Sequence, residues 1–243
     1  MTTTTSKVED AVAADVPTLG AMHINAFDDN FPVPLFVKPY AVAGWGKFVR
    51  RAADPAPASG SSGLQPRVGV IRDDSGNRNW SPQALGERER EREREDLVCR
   101  LTCALVGTAK AACLLWIARD REAVDGLYGA WRDAWGEPHE GMVPDRLDTF
   151  FGDMKAQHRT VMGRNPHMYL EIIMAHSTAR GKGYGKALLL FANELADELG
   201  LPLYLDADED VVGLYERVGY VRQPEEVRES KGLVPMVRAA HGG

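Results

Sequence analysis

The sequence predicts an α/β protein, and three consecutive segments carry that prediction. Met168–Ala175 is almost wholly apolar, as a central strand of such a sheet should be. After Gly185, the residues Leu188, Phe191, Ala192, Leu195 and Leu199 recur at helical spacing and mark one apolar face. Leu203–Ala207 then reads as a second strand. Strand, helix, strand in immediate succession is the unit from which α/β sheets are built.

The other elements follow in chain order. Val8–Ala13 is a short strand candidate. Asp15 is an N-cap residue type with Pro17 in the first turn behind it. Val16, Leu19, His23, Ala26 and Phe27 then repeat at helical spacing. An aromatic stretch runs through Phe31, Phe36, Tyr40, Trp45 and Phe48, and Tyr40–Ala53 reads as a second helix. Pro, Ala, Ser and Gly fill Asp54–Gly63, the composition of a linker. Glu87–Asp96 alternates Glu and Arg, and a helix would bring Glu87 beside Arg90 and Glu89 beside Arg92. That run reads as a solvated helix or a disordered insertion rather than an interaction tail. Residues 54–96 are therefore expected to be a surface insertion within one domain spanning 1–243.

Leu97–Val106 alternates apolar and polar residues as a half-buried strand does, and Lys110–Arg119 is expected to be its hairpin partner across Gly107. Asp120–Val143 is rich in Trp, Tyr and Gly and has no clear period. Asp145–Met162 is helical, with Leu147, Phe150, Phe151, Met154, His158 and Val161 on one stripe. Gly200 and Pro202 close the helix that follows Gly185. Val211, Leu214, Tyr215 and Val218 make a short helix that ends at Gly219. Tyr220–Arg222 and Leu233–Ala239 are expected to pair as strands.

Bulk properties exclude several classes. A chain of 243 residues with formal net charge -6 is a poor general binder of nucleic acid, because that affinity rests on neutralising phosphates with Lys and Arg. Met1–Lys7 is Thr-rich and lacks the apolar core of a signal peptide. No run approaches the roughly 18 apolar residues of a membrane span. The expectation is a cytoplasmic protein, a monomer or homodimer, with no membrane partner. The three cysteines, Cys99, Cys103 and Cys113, form no paired framework. Cys99 and Cys103 fall on the apolar face of the expected strand, so no metal site is expected.

The chemistry concentrates in Arg180-Gly181-Lys182-Gly183-Tyr184-Gly185-Lys186, between a buried strand and an amphipathic helix. Three glycines let the backbone adopt positive φ and approach a ligand closely. Successive N–H groups then converge at the positive end of the following helix, and Arg180, Lys182 and Lys186 add charge. This suits a pyrophosphate or a similar anion. A dinucleotide-binding loop needs G-x-G-x-x-G early in the chain, and here the pattern ends one residue short and lies late. A nucleotide-triphosphate loop needs Gly-Lys-Ser/Thr, and Gly185-Lys186 is followed by Ala187. A plain glycine-rich turn is the remaining alternative.

Arg180-x-x-Gly183-x-Gly185 resembles the R/Q-x-x-G-x-G/A signature of the GNAT N-acetyltransferases. Leu214-Tyr215-Glu216-Arg217-Val218-Gly219-Tyr220 resembles the family's L-Y-E-K-x-G-F segment, and Asp15-Val16-Pro17 resembles the start of its first helix. The strong resemblance covers Pro166–Val221. It implies a mixed twisted sheet with flanking helices, in which two central parallel strands, here Met168–Ala175 and Leu203–Ala207, splay apart around acetyl-coenzyme A. It further implies that residues 180–186 hold the pyrophosphate and that the backbone of Ile173, Met174 and Ala175 pairs with the pantetheine as an added strand does.

The family's reaction, direct attack of an amine on the thioester, implies an acid near the sulfur, and Tyr215 matches that position. Its alternative role is packing, since it also lies on the apolar stripe of its helix. Glu171 is the expected base, because a carboxylate inside an apolar strand is costly without partners or purpose. The alternative is a structural carboxylate paired with a neighbour such as Arg164. His167 and His176 are weaker candidates. The expected acceptor is a small-molecule amine, in a pocket walled by Phe27–Trp45, Trp116 and part of Asp120–Phe151; Phe31 and Trp116 are the named candidates. Asp28 and Asp29 are carboxylates suited to attracting a cation there. Acetylation of a protein N-terminus or lysine, and acyl-coenzyme A binding without turnover, are the other readings. Ser177 and Asp208 depart from the family's usual Pro and Asn. The acidic residues Asp206, Asp208, Glu209 and Asp210 are expected to face solvent.

Overall fold

The computed structural model describes residues 7–27, 35–54, 64–72, 109–230 and 232–241. Its central element is the strand β3, Ala109–Ala118, which is buried on both faces. Alternation sorts its side chains between two cores. Ala112, Leu114 and Trp116 join the core covered by α1 (Val16–Phe27) and α2 (Lys38–Ala53), which contribute Leu19, Met22, Trp45 and Phe48. Ala111, Cys113, Leu115 and Ile117 join the core covered by α6 (Tyr184–Leu199), which contributes Leu188, Leu189, Ala192 and Leu195. The α/β expectation therefore holds as helices on both faces of one sheet.

That sheet has seven described strands in the order β1-β2-β3-β4-β5-β7-β6. They are β1 (Glu9–Asp10), β2 (Gln65–Arg72), β3, β4 (His167–Ala175), β5 (Leu203–Asp208), β6 (Val221–Arg222) and β7 (Leu233–Arg238). Only β4 and β5 pair in parallel; every other pairing is antiparallel. Four helices complete the chain: α3 (Arg121–Leu127), α4 (Trp131–Trp135), α5 (Pro144–Met162) and α7 (Val212–Glu216). Among the described residues no helix is long and apolar enough to cross a membrane.

Three expectations are corrected. The proposed surface insertion 54–96 contains β2, a buried strand paired along its length with β3. Gly69 and Pro66 make this segment read as a breaker, yet Gly69 is there for space. A Cβ at Gly69 would lie 3.1 Å from Cys113 Sγ and 3.2 Å from Phe191, a ring that packs down from α6. The partner of β3 is also not Leu97–Val106, which lies outside the described residues. Both edges of β3 are occupied, one by β2 and the other by β4. The whole Glu/Arg run Glu87–Asp96 and the cysteines Cys99 and Cys103 lie outside the described residues as well. Asp15 is not the cap of α1: it ends a 3-10 turn, accepts the Val12 N–H at 2.8 Å and pairs with Arg72 at 2.6 Å.

The register of β4 changes at one residue. Leu115 lies opposite Leu170 and Leu114 opposite Ile172, so Glu171 is an extra residue in β4, a β-bulge. The consequence is visible in which core each neighbour joins. Met168 and Leu170 face the α6 core, and beyond the bulge Ile173 and Ala175 do so. Tyr169, Ile172 and Met174 face the other core.

The C-terminal strand is clamped by an ion pair. Arg238, at the end of β7, donates two hydrogen bonds to Asp197 of α6 at 2.8 and 2.7 Å, and the His241 N–H adds a third at 2.9 Å. These donors, the Arg238 guanidinium first, hold the Asp197 carboxyl down at about 2. An unfolded aspartate titrates near 4, so the stabilisation is complete above that pH and is lost as pH falls through about 2. Asp197→Asn should cost about 1–2 kcal/mol at neutral pH, since it leaves the nearly buried Arg238 without its counter-ion while Asp197 itself is partly solvated. Melting curves of parent and variant should converge in acid; a constant gap would contradict the assignment.

Candidate functional site

Alternation from Tyr169 and Leu170 turns the Glu171 side chain to the aromatic-core face of the sheet. There the carboxylate accepts two indole N–H groups, one from Trp116 of β3 and one from Trp135 of α4 at 3.0 Å. Burial pushes the Glu171 carboxyl up from its ordinary value, and the two indole hydrogen bonds oppose that rise. The alternative partner, Arg164, is turned away and bonds Asp125 at 2.9 Å. Glu171 is thus a carboxylate held by neutral donors and paired with no cation among the described residues, which leaves it basic for its surroundings.

Immediately past Glu171 the two parallel strands part. Their pairing runs from Met168↔Leu203 to Leu170↔Leu205 and stops, whereas β5 continues on its other edge with β7 as far as Asp208↔Leu233. The β5-side edge of Ile172, Ile173, Met174 and Ala175 is therefore open, while their other edge stays paired with β3. The sequence expectation of splayed strands at Met168–Ala175 and Leu203–Ala207 is what the backbone displays.

The first β5 residue beyond that fork is Asp206, and it corrects another expectation. Asp206 does not face solvent. Its Oδ1 accepts from Gln157 Nε2 and from the Tyr204 hydroxyl, both at 2.6 Å, and its Oδ2 is buried with no hydrogen-bond partner among the described residues. Burial pushes this carboxyl up to about 6, against the pull of those two donors. Gln157 in turn accepts the N–H groups of Glu229 and Ser230, at 3.0 and 3.3 Å. Asp208, Glu209 and Asp210 are exposed as expected.

Two cavities meet at Glu171. One, of about 290 Å³, lies at the fork and is lined by Glu171, Ile172, Asp206 and Asp208 together with His23, Phe27, Phe36, Trp135, Phe150 and Phe151. The other, of about 390 Å³, extends along β4 and is lined by Trp116, Trp131, Tyr169, Glu171, Arg51, Arg132 and Lys155 among others. Trp116 thus stands beside the splayed strands, while Phe31, Asp28 and Asp29 lie outside the described residues. Burial, with the charges of Asp206 and Glu171, raises the Tyr169 hydroxyl well above its ordinary value. His167 is excluded as a base by its packing. It is fully buried, its Nδ1 is bonded to the Asn165 carbonyl at 2.6 Å, and its Nε2 lies 2.8 Å from Nε2 of His158.

The glycine-rich loop follows β4 on the other side of the fork. Gly181 and Gly183 take φ of 77° and 81°, and Gly183 caps α6 in the left-handed conformation. A Cβ at Gly181, Gly183 or Gly185 would meet nothing within 4 Å, so the loop backbone borders open space. The first helical hydrogen bond returns from Ala187 N to Gly183 O, which leaves the N–H groups of Tyr184, Gly185 and Lys186 without helical acceptors at the positive end of a 16-residue helix. Arg180, Lys182 and Lys186 are exposed around them, and Tyr184 packs inward on the α6 core. Tyr215 lies on α7, buried, with its ring 5.8 Å from that of Tyr220. Burial, with the Asp208 charge, pushes its hydroxyl up to about 12, so it is protonated throughout the neutral range.

A mixed sheet whose one parallel strand pair forks beside a glycine-rich strand–loop–helix turn is the architecture of an acyl-coenzyme A-dependent transferase. The chain belongs to the acetyltransferase (GNAT) family, whose sequence model matches residues 87–220, more than half of the chain. No protein with a curated description matches it significantly. Among solved structures, it is similar to a histone acetyltransferase HPA2 and related acetyltransferase from Corynebacterium glutamicum, at 17% identity, TM-score 0.53 and coverage of 98% of each chain. A GNAT phosphinothricin acetyltransferase from Sinorhizobium meliloti, in complex with AcCoA, aligns at 15% identity and TM-score 0.47 over 98% of this chain and 91% of that one. A GNAT-family acetyltransferase from Listeria monocytogenes aligns at 12% identity and TM-score 0.49 over 96% and 94%. Among the described residues there is no group of three or more side chains that could hold a metal ion.

The sequence reading missed Asp206, Trp135, Gln157 and His23. Only Asp206 left a usable signal. Strand parity places it on the same face as Tyr204, opposite Leu203, Leu205 and Ala207. Its raised pKa gives a test. An unfolded aspartate ionises near pH 4, and this one ionises near 6, so folding stability declines as pH rises between those values. Asn keeps the Oδ1 acceptor and carries no charge. Asp206→Asn should match the parent's melting temperature at pH 4 and exceed it by about 3 °C or more at pH 8. A parent that is the more stable of the two at pH 8 would refute the buried environment.

Proposed function

We propose that this acetyltransferase transfers acetyl from acetyl-coenzyme A to the amine of a small molecule by direct attack in a ternary complex. The observation that carries the reading is the fork itself. An open strand edge at Ile173, Met174 and Ala175 is continuous with unpaired N–H groups and exposed cations at Arg180–Lys186, so one elongated ligand with an amide-bearing arm and a phosphate end fits both. We also propose that 1–243 acts as a single catalytic domain, with 166–221 as its acetyl-coenzyme A core. A small-molecule acceptor is favoured over a protein because the space beside Glu171 is a pair of side-chain-lined cavities rather than a groove for extended chain.

Two proton transfers accompany the reaction. The ammonium gives a proton to the Glu171 carboxylate, directly or through a water. The freed amine nitrogen attacks the thioester carbonyl carbon, the C–N bond forms and the C–S bond breaks. The departing thiolate takes the Tyr215 hydroxyl proton, the amide product loses the surplus proton on nitrogen to solvent, tyrosinate recovers its own from solvent, and Glu171 releases to solvent the proton it took. Burial supports both roles, by raising the basicity of Glu171 and by keeping Tyr215 protonated until the thiolate needs it.

Binding and chemistry are tested separately. Coenzyme A at a hundred times its Kd should stabilise the parent by about 2.7 kcal/mol in a melting experiment. Gly183→Asp should abolish most of that shift and Gly183→Asn should keep more of it, since Asn tolerates the left-handed backbone without the negative charge. Equal shifts in all three proteins would remove the loop from the site. Glu171→Gln should lower turnover about a hundred- to ten-thousand-fold with coenzyme A binding intact, and the deficit should shrink as pH rises and free amine accumulates. Tyr215→Phe should slow turnover with no such recovery. Full activity of Glu171→Gln across the pH range would place the base elsewhere.

A further inference from the structure

Of the two cavities at Glu171, the smaller one has a distinctive chemistry. Its described lining contains the carboxylates of Glu171, Asp206 and Asp208 and no Lys or Arg, whereas the larger cavity is mixed, with Arg51, Arg132 and Lys155 beside Asp133 and Asp148. Asp206 presents a buried Oδ2 that no described donor reaches, because Gln157 and Tyr204 both bond the other oxygen. A second, independent vacancy lies deeper. His23 is only 2% exposed, lines the same cavity, and neither ring nitrogen has a hydrogen-bond partner among the described residues. Rings surround it: Phe36 at 4.7 Å, Phe27 at 4.9 Å and Trp135 at 5.1 Å between centroids. Burial holds its pKa down at about 3, so it is a neutral donor and acceptor at working pH and adds no positive charge.

Buried polar groups without partners are rare and costly, and their usual explanation is a ligand or an ordered water. Here the acidic end and the apolar end belong to one cavity, so one molecule satisfies both. A cation fits among the carboxylates, and aromatic walls favour a flat or apolar body and can stack on it. A carboxylate on the same molecule would be buried beside three others with no described counter-ion.

We propose that the acceptor is a cationic primary amine with an aromatic or apolar body and no carboxylate, its ammonium anchored by Asp206 beside Glu171 and its body seated against Phe27, Phe36 and Trp135. This rests on the acyltransferase reading above and narrows it to one substrate class. A neutral hydrogen-bonding group at the far end of the amine gains from His23. Free amino acids, which pair an ammonium with a carboxylate, are disfavoured acceptors.

Calorimetry on the full chain, alone and saturated with coenzyme A, separates the two levels. Phenethylamine should bind, and phenylalanine, the same body with an added carboxylate, should bind at least about a hundredfold more weakly. Asp206→Asn should weaken phenethylamine about tenfold or more while coenzyme A binding is unchanged. Leu233→Lys, which places a cation on the cavity wall, should also weaken phenethylamine and narrow the gap to phenylalanine; it serves as the second variant if Asp206→Asn perturbs folding. Equal affinity for the two probes, no binding of phenethylamine to either form, or an unchanged phenethylamine Kd in both variants would overturn the proposal. Failure of coenzyme A to bind would instead overturn the acyltransferase reading, and the amine arm on the unloaded protein would still decide what the cavity takes.

Discussion

The site depends on one extra residue in one strand. Without the bulge at Glu171, alternation would carry every later residue of β4 to the opposite face. Ile172 and Met174 would enter the α6 core, and Ile173 and Ala175 would face α1 and α2. The bulge absorbs that change and leaves Glu171 and Ile172 on the same side of the sheet. It also bends the strand and sharpens its twist, and the parallel pairing with β5 ends at the residue before it. The fork and the open backbone edge thus begin at a single local irregularity, beside a carboxylate that alternation already turns to the same face. What holds it in place is the pair of tryptophan donors from β3 and α4, which satisfy the carboxylate without neutralising it.

The fork has a cost that the surrounding structure offsets. An unpaired strand edge inside a sheet leaves backbone groups without partners, and a buried carboxylate such as Asp206 lowers stability wherever it is ionised. The sheet compensates on either side. β3 is paired on both edges with apolar residues facing two cores. β5 is paired with β7 through the whole opened region, and β7 is fastened to α6 by Arg238 and Asp197. Rigidity flanks the fork and local frustration lies within it, as is common where binding is the purpose.

Much of this was legible in the sequence, and the limits have physical causes. The elements from Asp145 to Arg238 were readable because their periodicity is strong and their breakers are true caps, Gly183 and Gly200 among them. Glu171 was conspicuous as the one carboxylate in an apolar run. Its partners were not, since Trp116 and Trp135 lie 55 and 36 residues away and only the fold brings them together. β2 was hidden because Gly69, which reads as a turn residue, is a packing contact with Phe191. Asp206 was hidden by its neighbours: three further acidic residues follow within four positions, and composition merges what strand parity separates.

The buried histidine pair fixes more than packing. Nδ1 of His167 faces a carbonyl, so it carries the hydrogen, and its Nε2 must accept from His158 Nε2. Each ring therefore has one admissible tautomer, and neither can gain a proton without setting two donors against each other or exposing a cation to the core. His158 lies flat on Tyr204 at 4.0 Å between ring centroids, directly behind the residue that bonds Asp206. Burial lowers the pKa of both rings, so the pair adds no positive charge to the wall behind Asp206. A change of acidity is felt at this wall through Asp206, while Arg51, Arg132 and Lys155 line the neighbouring cavity.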